Sequence, residues 1–161
     1  MEVAPINLEF NGCLTAQKNN MKAEEKTKIT VQTTINSTIE KVWKRWNTPS
    51  DIEKWNAASD DWHTTKSEND VRMDGKFTYR MEAKDGSFGF DCDGIYTKVI
   101  INELIEYTMA DDRKASIVFK TLDNKVEVVE TFDAENENPI ELQRGGWQAI
   151  LDNFKKYVEQ N

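Results

Sequence analysis

The first third of the chain combines one strand pattern with two helix patterns. Residues 27–35 alternate apolar and polar side chains, which is the period-two pattern of a half-buried strand. Ser37 and Glu40 have the spacing of a capping box, in which two side chains satisfy backbone N–H groups at the start of a helix. Thr48 followed by Pro49 marks the start of a second helix, because proline suits the first helical position. We therefore expect one strand and then two short helices.

The middle of the chain, residues 60–133, has the alternating pattern of several antiparallel strands. The turn-forming residues 84–87 separate two of them as a hairpin. Apolar residues then fall on even positions up to Cys92 and on odd positions from Ile95, so we expect a β-bulge near Gly94. Three more strands are expected at residues 104–109, 116–122 and 126–132. The sheet should contain six or seven strands.

The last part of the chain has the strongest helix pattern. Asn138, Pro139 and Glu141 occupy positions typical of a helix start, and the apolar residues after them recur every three or four positions. These residues are Trp147, Ile150, Leu151, Phe154, Tyr157 and Val158. A curved antiparallel sheet that wraps around this helix would cover its apolar stripe and leave space at one end. The pattern therefore predicts an α+β fold.

Length and composition predict a single globular domain. The chain has 161 residues, of which 38% are hydrophobic and 31% are charged. Residues 1–20 have neither a cationic start nor a long apolar run, so they do not resemble a signal peptide. We expect residues 1–24 to be a disordered or non-native leader and residues 25–161 to form the domain.

Charge and cysteine content restrict the partners and the compartment. The 29 acidic residues outnumber the 21 basic ones, and no basic block is present. Nucleic acid and an anionic membrane surface are therefore not expected as partners. The two cysteines, Cys13 and Cys92, lie far apart in the sequence, and this favours unbonded thiols in a reducing cytoplasm.

Six short motifs, spread in order over about residues 27–160, resemble one protein family. They are Ser37 with Val42-Trp43, Pro49 with Ile52 and Trp55, Asp70-Val71-Arg72 with Gly75-Lys76-Phe77, Gly94-Ile95-Tyr96, residues 104–108, and Gly146-Trp147 with Leu151. The family comprises the homologues of the activator of the ninety-kilodalton heat-shock protein's ATPase, in the START-like or SRPBCC superfamily. The resemblance implies the helix-grip fold, with a curved sheet around a long C-terminal helix and two short helices after the first strand.

Two departures from the family pattern affect what the resemblance implies. The family usually has a Gly-Gly pair where this chain has Asp74-Gly75, so the turn geometry there is expected to differ. The eukaryotic activator also carries a further N-terminal domain that contacts the chaperone, and a leader of 20 residues cannot supply one. We therefore do not expect chaperone activation.

Large apolar residues on the concave-facing phases of the strands are candidates for a ligand pocket between sheet and helix. Aromatic and methionine side chains suit an adaptable apolar site, although they also form ordinary cores. Two adjacent glycines in the last helix each cost about 1 kcal/mol relative to alanine, which indicates close packing, a ligand's approach or a kink. The candidate ligand-binding residues are Phe77, Tyr79, Met81, Phe88, Phe90, Tyr107, Met109, Phe119, Glu130, Gly146, Trp147 and Leu151.

Glu130 is the one acidic residue among these candidates. It shares its strand phase with Val128 and Phe132, so its carboxyl group would enter the apolar interior if that phase faces inward. A buried carboxyl needs a partner, for which Arg80 or Arg113 are available, or its pKa rises. If the strand is instead at an edge of the sheet, both of its faces would be partly wet.

The sequence contains little else that indicates chemistry. His63 is the only histidine, and no residue is spaced to orient it as a catalyst. Asp91 and Asp93 lie on one strand face without the oxygen-rich loop that a cation site needs, so we expect neither a metal nor a cofactor.

Three functions are compatible with these observations. The leading one is binding of a small, largely apolar molecule, such as a lipid or a polyketide-like compound, without catalysis. The second is an enzyme of the polyketide cyclase or aromatase type, with Glu130, Arg80 or His63 steering proton transfers. The third is a co-chaperone-like module that binds another protein.

Overall fold

The computed structural model describes residues 26–161, and the expected leader at residues 1–24 lies outside them. The elements follow the predicted order: β1 Lys28–Ile35, α1 Ile39–Asn47, α2 Pro49–Trp55, β2 Trp62–Asn69, β3 Lys76–Ala83, β4 Gly89–Ile100, β5 Leu104–Met109, β6 Lys114–Leu122, β7 Lys125–Asp133 and α3 Ile140–Gln160. No helix among the described residues is long and apolar enough to cross a membrane.

All seven strands form one antiparallel sheet with the order β1-β7-β6-β5-β4-β3-β2. The first strand therefore pairs with the last one, and β7 lies between β1 and β6. This arrangement rules out an edge position for the strand that carries Glu130. The curled seven-stranded sheet with two short helices and a long C-terminal helix is the predicted helix-grip fold.

Helix α3 lies against the concave face of the sheet through one apolar stripe. Its buried positions include Trp147, Leu151, Phe154 and Val158, which are spaced at the helical repeat. The Trp147 ring stacks on Phe132 of β7, with ring centroids 3.7 Å apart and an interplanar angle of 10°. Burial of these side chains joins the helix to the sheet, since removal of apolar surface from water is the main driving force.

The start of α1 differs from the prediction by one residue. The N-cap is Thr38, whose hydroxyl oxygen accepts a hydrogen bond from the Lys41 backbone N–H at 3.3 Å. The predicted capping box between Ser37 and Glu40 is therefore wrong, because the backbone turns into the helix after Thr38 rather than after Ser37. The predicted start of α2 is confirmed, with Pro49 as its first residue.

The phase change predicted in β4 occurs later than expected. Cys92, Gly94 and Tyr96 all face the interior, and Ile95 points outward with 44% of its surface exposed. The register with β5 shifts between Tyr96 and Lys98, so the irregularity follows Tyr96 and does not lie at Gly94. A β-carbon at Gly94 would lie 2.8 Å from the Phe77 ring, and glycine is required there because that ring fills the space.

Cys92 is not a free thiol. Its side chain is buried, and its sulfur is part of a disulfide bond. The expectation of unbonded cysteines is therefore wrong, and the cysteine pattern does not support a reducing compartment.

The turn before β3 has a left-handed backbone at the first residue of the Asp74-Gly75 pair. Asp74 has a φ of 67°, a conformation in which aspartate is one of the better tolerated side chains. At Gly75 an added β-carbon would lie 2.0 Å from the carbonyl oxygen of Asp70. Aspartate is thus accommodated at the first position, and glycine is required at the second by close backbone approach.

Substitution of Gly145 by alanine should stabilise the protein. Gly145 is exposed within α3, and a β-carbon there would meet no atom within 4 Å. Neither close packing nor a ligand's approach therefore explains this glycine. Because alanine has the higher helix propensity, Gly145→Ala should raise the free energy of unfolding by about 0.5–1 kcal/mol, measured by urea denaturation.

Gly75→Ala is the matched comparison, because it makes the same chemical change where the space is occupied. It should lower the free energy of unfolding by more than Gly145→Ala raises it. Destabilisation by Gly145→Ala would contradict the assignment of open space around that position.

Candidate functional site

A cavity lies between the concave face of the sheet and the helices. Its volume is about 70 Å³, and all three helices contribute to its wall. The side chains that line it are Trp46, Trp55, Asn56, Phe77, Tyr79, Met81, Cys92, Tyr96, Ile105, Tyr107, Glu130, Trp147 and Ile150. A space is therefore present where the sheet and α3 diverge.

The size of the cavity limits what it can hold at rest. Typical ligand pockets measure about 300–1,000 Å³, and an apolar cavity of about 150 Å³ can hold benzene. At about 70 Å³ the space suits a guest of a few heavy atoms or several water molecules. A larger guest would require outward movement of the helices or of side chains in the wall.

Aromatic rings form most of the wall and pack on one another at angles. The Phe77 ring lies 5.1 Å from Tyr79, 5.3 Å from Tyr96 and 4.9 Å from Tyr107, centroid to centroid. On the helical side, Trp46 and Trp55 lie 5.0 Å apart. The cavity lies between these two groups of rings, which all belong to its wall.

The carboxyl group of Glu130 is the acidic group in this wall. Its neighbours in register are Val31 on β1 and Ile117 on β6, and both are buried and apolar. Among residues 26–161 no hydrogen bond or ion pair joins the Glu130 carboxyl, and burial raises its pKa to about 8. The carboxyl therefore holds its proton at neutral pH.

Neither arginine considered as a partner of Glu130 forms an ion pair with it. Arg80 is on the outer face, where it contacts Glu82 at 2.9 Å and Asp91 at 3.5 Å. The Arg113 guanidinium is buried and contacts the Asp111 carboxylate at 2.6 Å. Glu130 thus follows the alternative that the sequence left open, a raised pKa in place of a partner.

Three tyrosines line the same cavity as Glu130. Burial raises the pKa of Tyr79 and Tyr107 well above the usual value, and that of Tyr96 to about 12. The Tyr96 hydroxyl donates to the side-chain oxygen of Asn69. A charge on Glu130 would further raise the pKa of Tyr107. All three hydroxyls therefore stay protonated near neutral pH.

Trp147 presents a second polar group without a partner. Its indole Nε1 is buried and makes no hydrogen bond, whereas Nε1 of Trp55 donates to the Arg45 carbonyl at 3.1 Å. Buried indole N–H groups usually find an acceptor, because an unmade hydrogen bond costs about 1–3 kcal/mol. Trp147 therefore brings an unsatisfied donor into the residues that line the cavity.

Six of the twelve candidate residues lie in the wall of the cavity: Phe77, Tyr79, Met81, Tyr107, Glu130 and Trp147. Met109, Phe119 and Leu151 are buried elsewhere in the core. Phe88 is exposed and, with Phe90, lies near Trp62 away from the cavity. Gly146 is also absent from the wall.

The sequence analysis missed seven residues of the wall: Trp46, Trp55, Asn56, Cys92, Tyr96, Ile105 and Ile150. Trp46 and Trp55 follow the apolar faces of the two short helices, so their burial was predictable. Their position opposite β3 and β5 depends on how α1 and α2 fold back over the sheet, and periodicity does not report this.

The other polar candidates do not contribute to the cavity. His63 is partly exposed on the edge strand β2. Asp91 and Asp93 are exposed on the outer side of β4. No group of three metal-binding side chains occurs in the part of the chain that the structure describes.

The convex face of the sheet carries an apolar row away from the cavity. Leu104 is the register partner of both Ile100 and Val118, and the latter two are 39% and 43% exposed. Ile101, in the adjoining turn, is 72% exposed. A protein-binding function would use this surface rather than the cavity.

Comparison with known proteins gives one family. The sequence model described as "Activator of Hsp90 ATPase homolog 1-like protein" matches residues 36–159. No curated protein matches the chain.

Solved structures with the same architecture include two with substantial sequence identity. An AHSA1-like protein from Aeromonas hydrophila is 46% identical with a TM-score of 0.79, and a protein from Cytophaga hutchinsonii is 52% identical with a TM-score of 0.73. Each match covers 83% of this chain and 93% of the other chain. A protein from Chromobacterium violaceum, 21% identical with a TM-score of 0.76 over 84% of this chain and 99% of its own, shares the fold.

The burial of Glu130 should make stability depend on pH. The folded-state pKa is raised from 4.5 to about 8, so the native protein keeps a proton that the unfolded chain releases over that range. The free energy of unfolding should therefore fall as pH rises from 5 to 8, with a slope of up to about 1.4 kcal/mol per pH unit from this group. Urea denaturation of the wild type and of Glu130→Gln across this range isolates the slope.

Glu127→Gln is the control, because Glu127 is on the same strand and alternates with the buried positions. The wild type should lose stability relative to Glu130→Gln as pH rises, and it should not do so relative to Glu127→Gln. A constant difference between wild type and Glu130→Gln from pH 5 to 8 would show that the carboxyl is not held protonated.

Proposed function

The chain belongs to the family of activator of Hsp90 ATPase homolog 1-like proteins, and from this premise we propose that it binds a small, largely apolar molecule between sheet and α3 without acting on it chemically. The family shares the START-like helix-grip architecture, which commonly serves to bind ligands. The guest would occupy the cavity whose wall includes Phe77, Tyr107 and Trp147.

The observation that carries this proposal is the combination of aromatic walls with unpaired polar groups. A space that existed only as a packing defect would be lined by apolar atoms alone. Here the Trp147 N–H has no partner, and the Glu130 carboxyl has none among the described residues. Leaving such groups buried is costly, and a bound molecule that satisfies them offsets the cost.

The size of the cavity favours either a compact guest or a wall that moves outward when a guest binds. The resting volume of about 70 Å³ excludes a long acyl chain or a multi-ring compound unless the wall opens. Ile150 on α3 is only half-buried, and it lines the space. Displacement of α3 at this point would enlarge the cavity towards solvent without breaking the sheet.

Acid–base catalysis is the second candidate function, and Glu130 is the observation that favours it. A carboxyl with a pKa of about 8 can exchange a proton near neutral pH, as a general acid or base must. Catalysis would make Glu130→Gln inactive toward a compound that it still binds. Unchanged turnover of a candidate substrate by Glu130→Gln would reject this role.

Ligand binding is testable by amide chemical-shift changes with a panel of small ring compounds, fatty acids, flavonoids and polyketide-like aromatics. A bound guest should shift resonances of Tyr79, Tyr107 and Trp147 together, because these residues line one space. Ile150→Trp should fill the cavity from its half-buried side and weaken binding at least about tenfold, since the guest and the new ring compete for the same volume.

Lys156→Trp is the matched control, because it adds the same ring to an exposed position of the same helix. It should leave binding unchanged. If no compound class shifts the cavity resonances, or if both variants bind as the wild type does, the cavity is not the binding site.

A further inference from the structure

Two donors face one small space in this protein. The Trp147 indole N–H has no acceptor, and the Glu130 carboxyl lines the same cavity. The two are close in the fold, because Trp147 stacks on Phe132, which is two residues after Glu130 on the same face of β7. One guest in this cavity can therefore contact both residues.

The charge state of the Glu130 carboxyl depends on its strand neighbours and on the other residues of the cavity wall. Its strand neighbours Val31 and Ile117 are apolar. The titratable side chains of the remaining wall are Tyr79 on β3, Tyr96 on β4 and Tyr107 on β5, which all stay neutral. The wall residues from the three helices and from the loop after α2 do not titrate: Trp46, Trp55, Asn56, Trp147 and Ile150.

Two charged groups outside the wall act on its tyrosines: Arg113, which is bound to Asp111, acts on Tyr107, and Asp70 acts on Tyr96. Neither of them lines the cavity. The wall therefore presents no cation to hold an ionised Glu130. In its neutral form the carboxyl group has one O–H donor and one carbonyl acceptor.

We infer that the guest is an uncharged molecule with a carbonyl-type oxygen, which accepts hydrogen bonds from the Trp147 indole N–H and from the protonated carboxyl of Glu130. This ligand class rests on the proposed function and narrows it. The rest of the guest is apolar, because the surrounding wall consists largely of rings and aliphatic side chains.

Other polar guests fit these groups less well. An ammonium group has no lone pair for the Trp147 N–H and would need an ionised carboxyl in a site that disfavours the charge. A carboxylate would bring a net charge into a wall that presents no cation. A hydrocarbon would leave both donors unpaired, which is the present state of the Trp147 N–H.

Three ring compounds of similar size separate these cases: cyclopentanone, methylenecyclopentane and cyclopentylamine. Each is about the size of benzene, so binding of any of them also requires the wall to move outward. They are titrated into the full-length protein at pH 6.5, and the indole N–H resonances of the five tryptophans are followed. Trp147→Phe assigns the relevant resonance by its loss and keeps a ring against Phe132. Cyclopentanone should bind about tenfold or more tightly than methylenecyclopentane, and it should shift the Trp147 indole proton downfield.

Variants then separate the two donors. Trp147→Phe should remove most of the preference for the ketone. Glu130→Gln should keep it, because an amide N–H replaces the O–H. The wild-type affinity for cyclopentanone should fall above pH 8, as Glu130 loses its proton, and the affinity of Glu130→Gln should not. Glu127→Gln should follow the wild type, since it alters the same strand away from the cavity.

The possible failures differ in what they overturn. Equal affinity for the ketone and the hydrocarbon, with shifts at the cavity, would overturn the ligand class and leave the proposed function standing. Preference for cyclopentylamine would do the same and would indicate an ionised Glu130. If none of the three compounds shifts a cavity resonance while a compound of the wider panel does, the carbonyl assignment is overturned and the proposed function stands. If no compound shifts a cavity resonance in either experiment, the proposed function is overturned as well.

Discussion

The contact between Trp147 and Phe132 sets the geometry on which the rest of the structure depends. The two rings lie flat against each other and hold α3 against β7. Trp147 also lines the cavity between sheet and helices, together with rings of β3 and β5. Its indole N–H is buried and has no acceptor among the described residues. The same stacking that stabilises the grip thus leaves a polar requirement unmet.

Glu130 shows how the sheet places a polar group where a hydrophobic one would be expected. Since β7 is an internal strand, every second side chain of it lies in the core. The Glu130 carboxyl is one of these, and it lies between buried aliphatic neighbours. An acidic residue at this position costs stability at neutral pH relative to an apolar one. The proposed ligand binding would account for the cost, because Glu130 lines the cavity.

Most of the fold could be predicted from the sequence, because strand alternation and the apolar stripe of α3 are local patterns. The miss in β4 has a physical cause. Gly94 has no side chain that would show which face of the strand it occupies, and Ile95 is apolar although it faces outward. The sequence pattern therefore placed the phase change too early in β4. The strand pattern left two environments open for Glu130, and the internal position of β7 decides for the buried one. The apolar faces of α1 and α2 were predicted, but the position of Trp46 and Trp55 in the cavity wall was not, since it is set by tertiary packing.

The order of the sheet has a consequence for how the chain can fold. Strand β1 forms its ladder with β7, and the two are separated by nearly the whole domain. During synthesis β1 therefore has no neighbouring strand for its backbone hydrogen bonds until residues near 133 have left the ribosome. Closing so long a loop is entropically costly, and high contact order slows folding. The outward-facing positions of β1 begin with Lys28, Thr30 and Gln32, so the apolar character of the unpaired strand is confined to its other face.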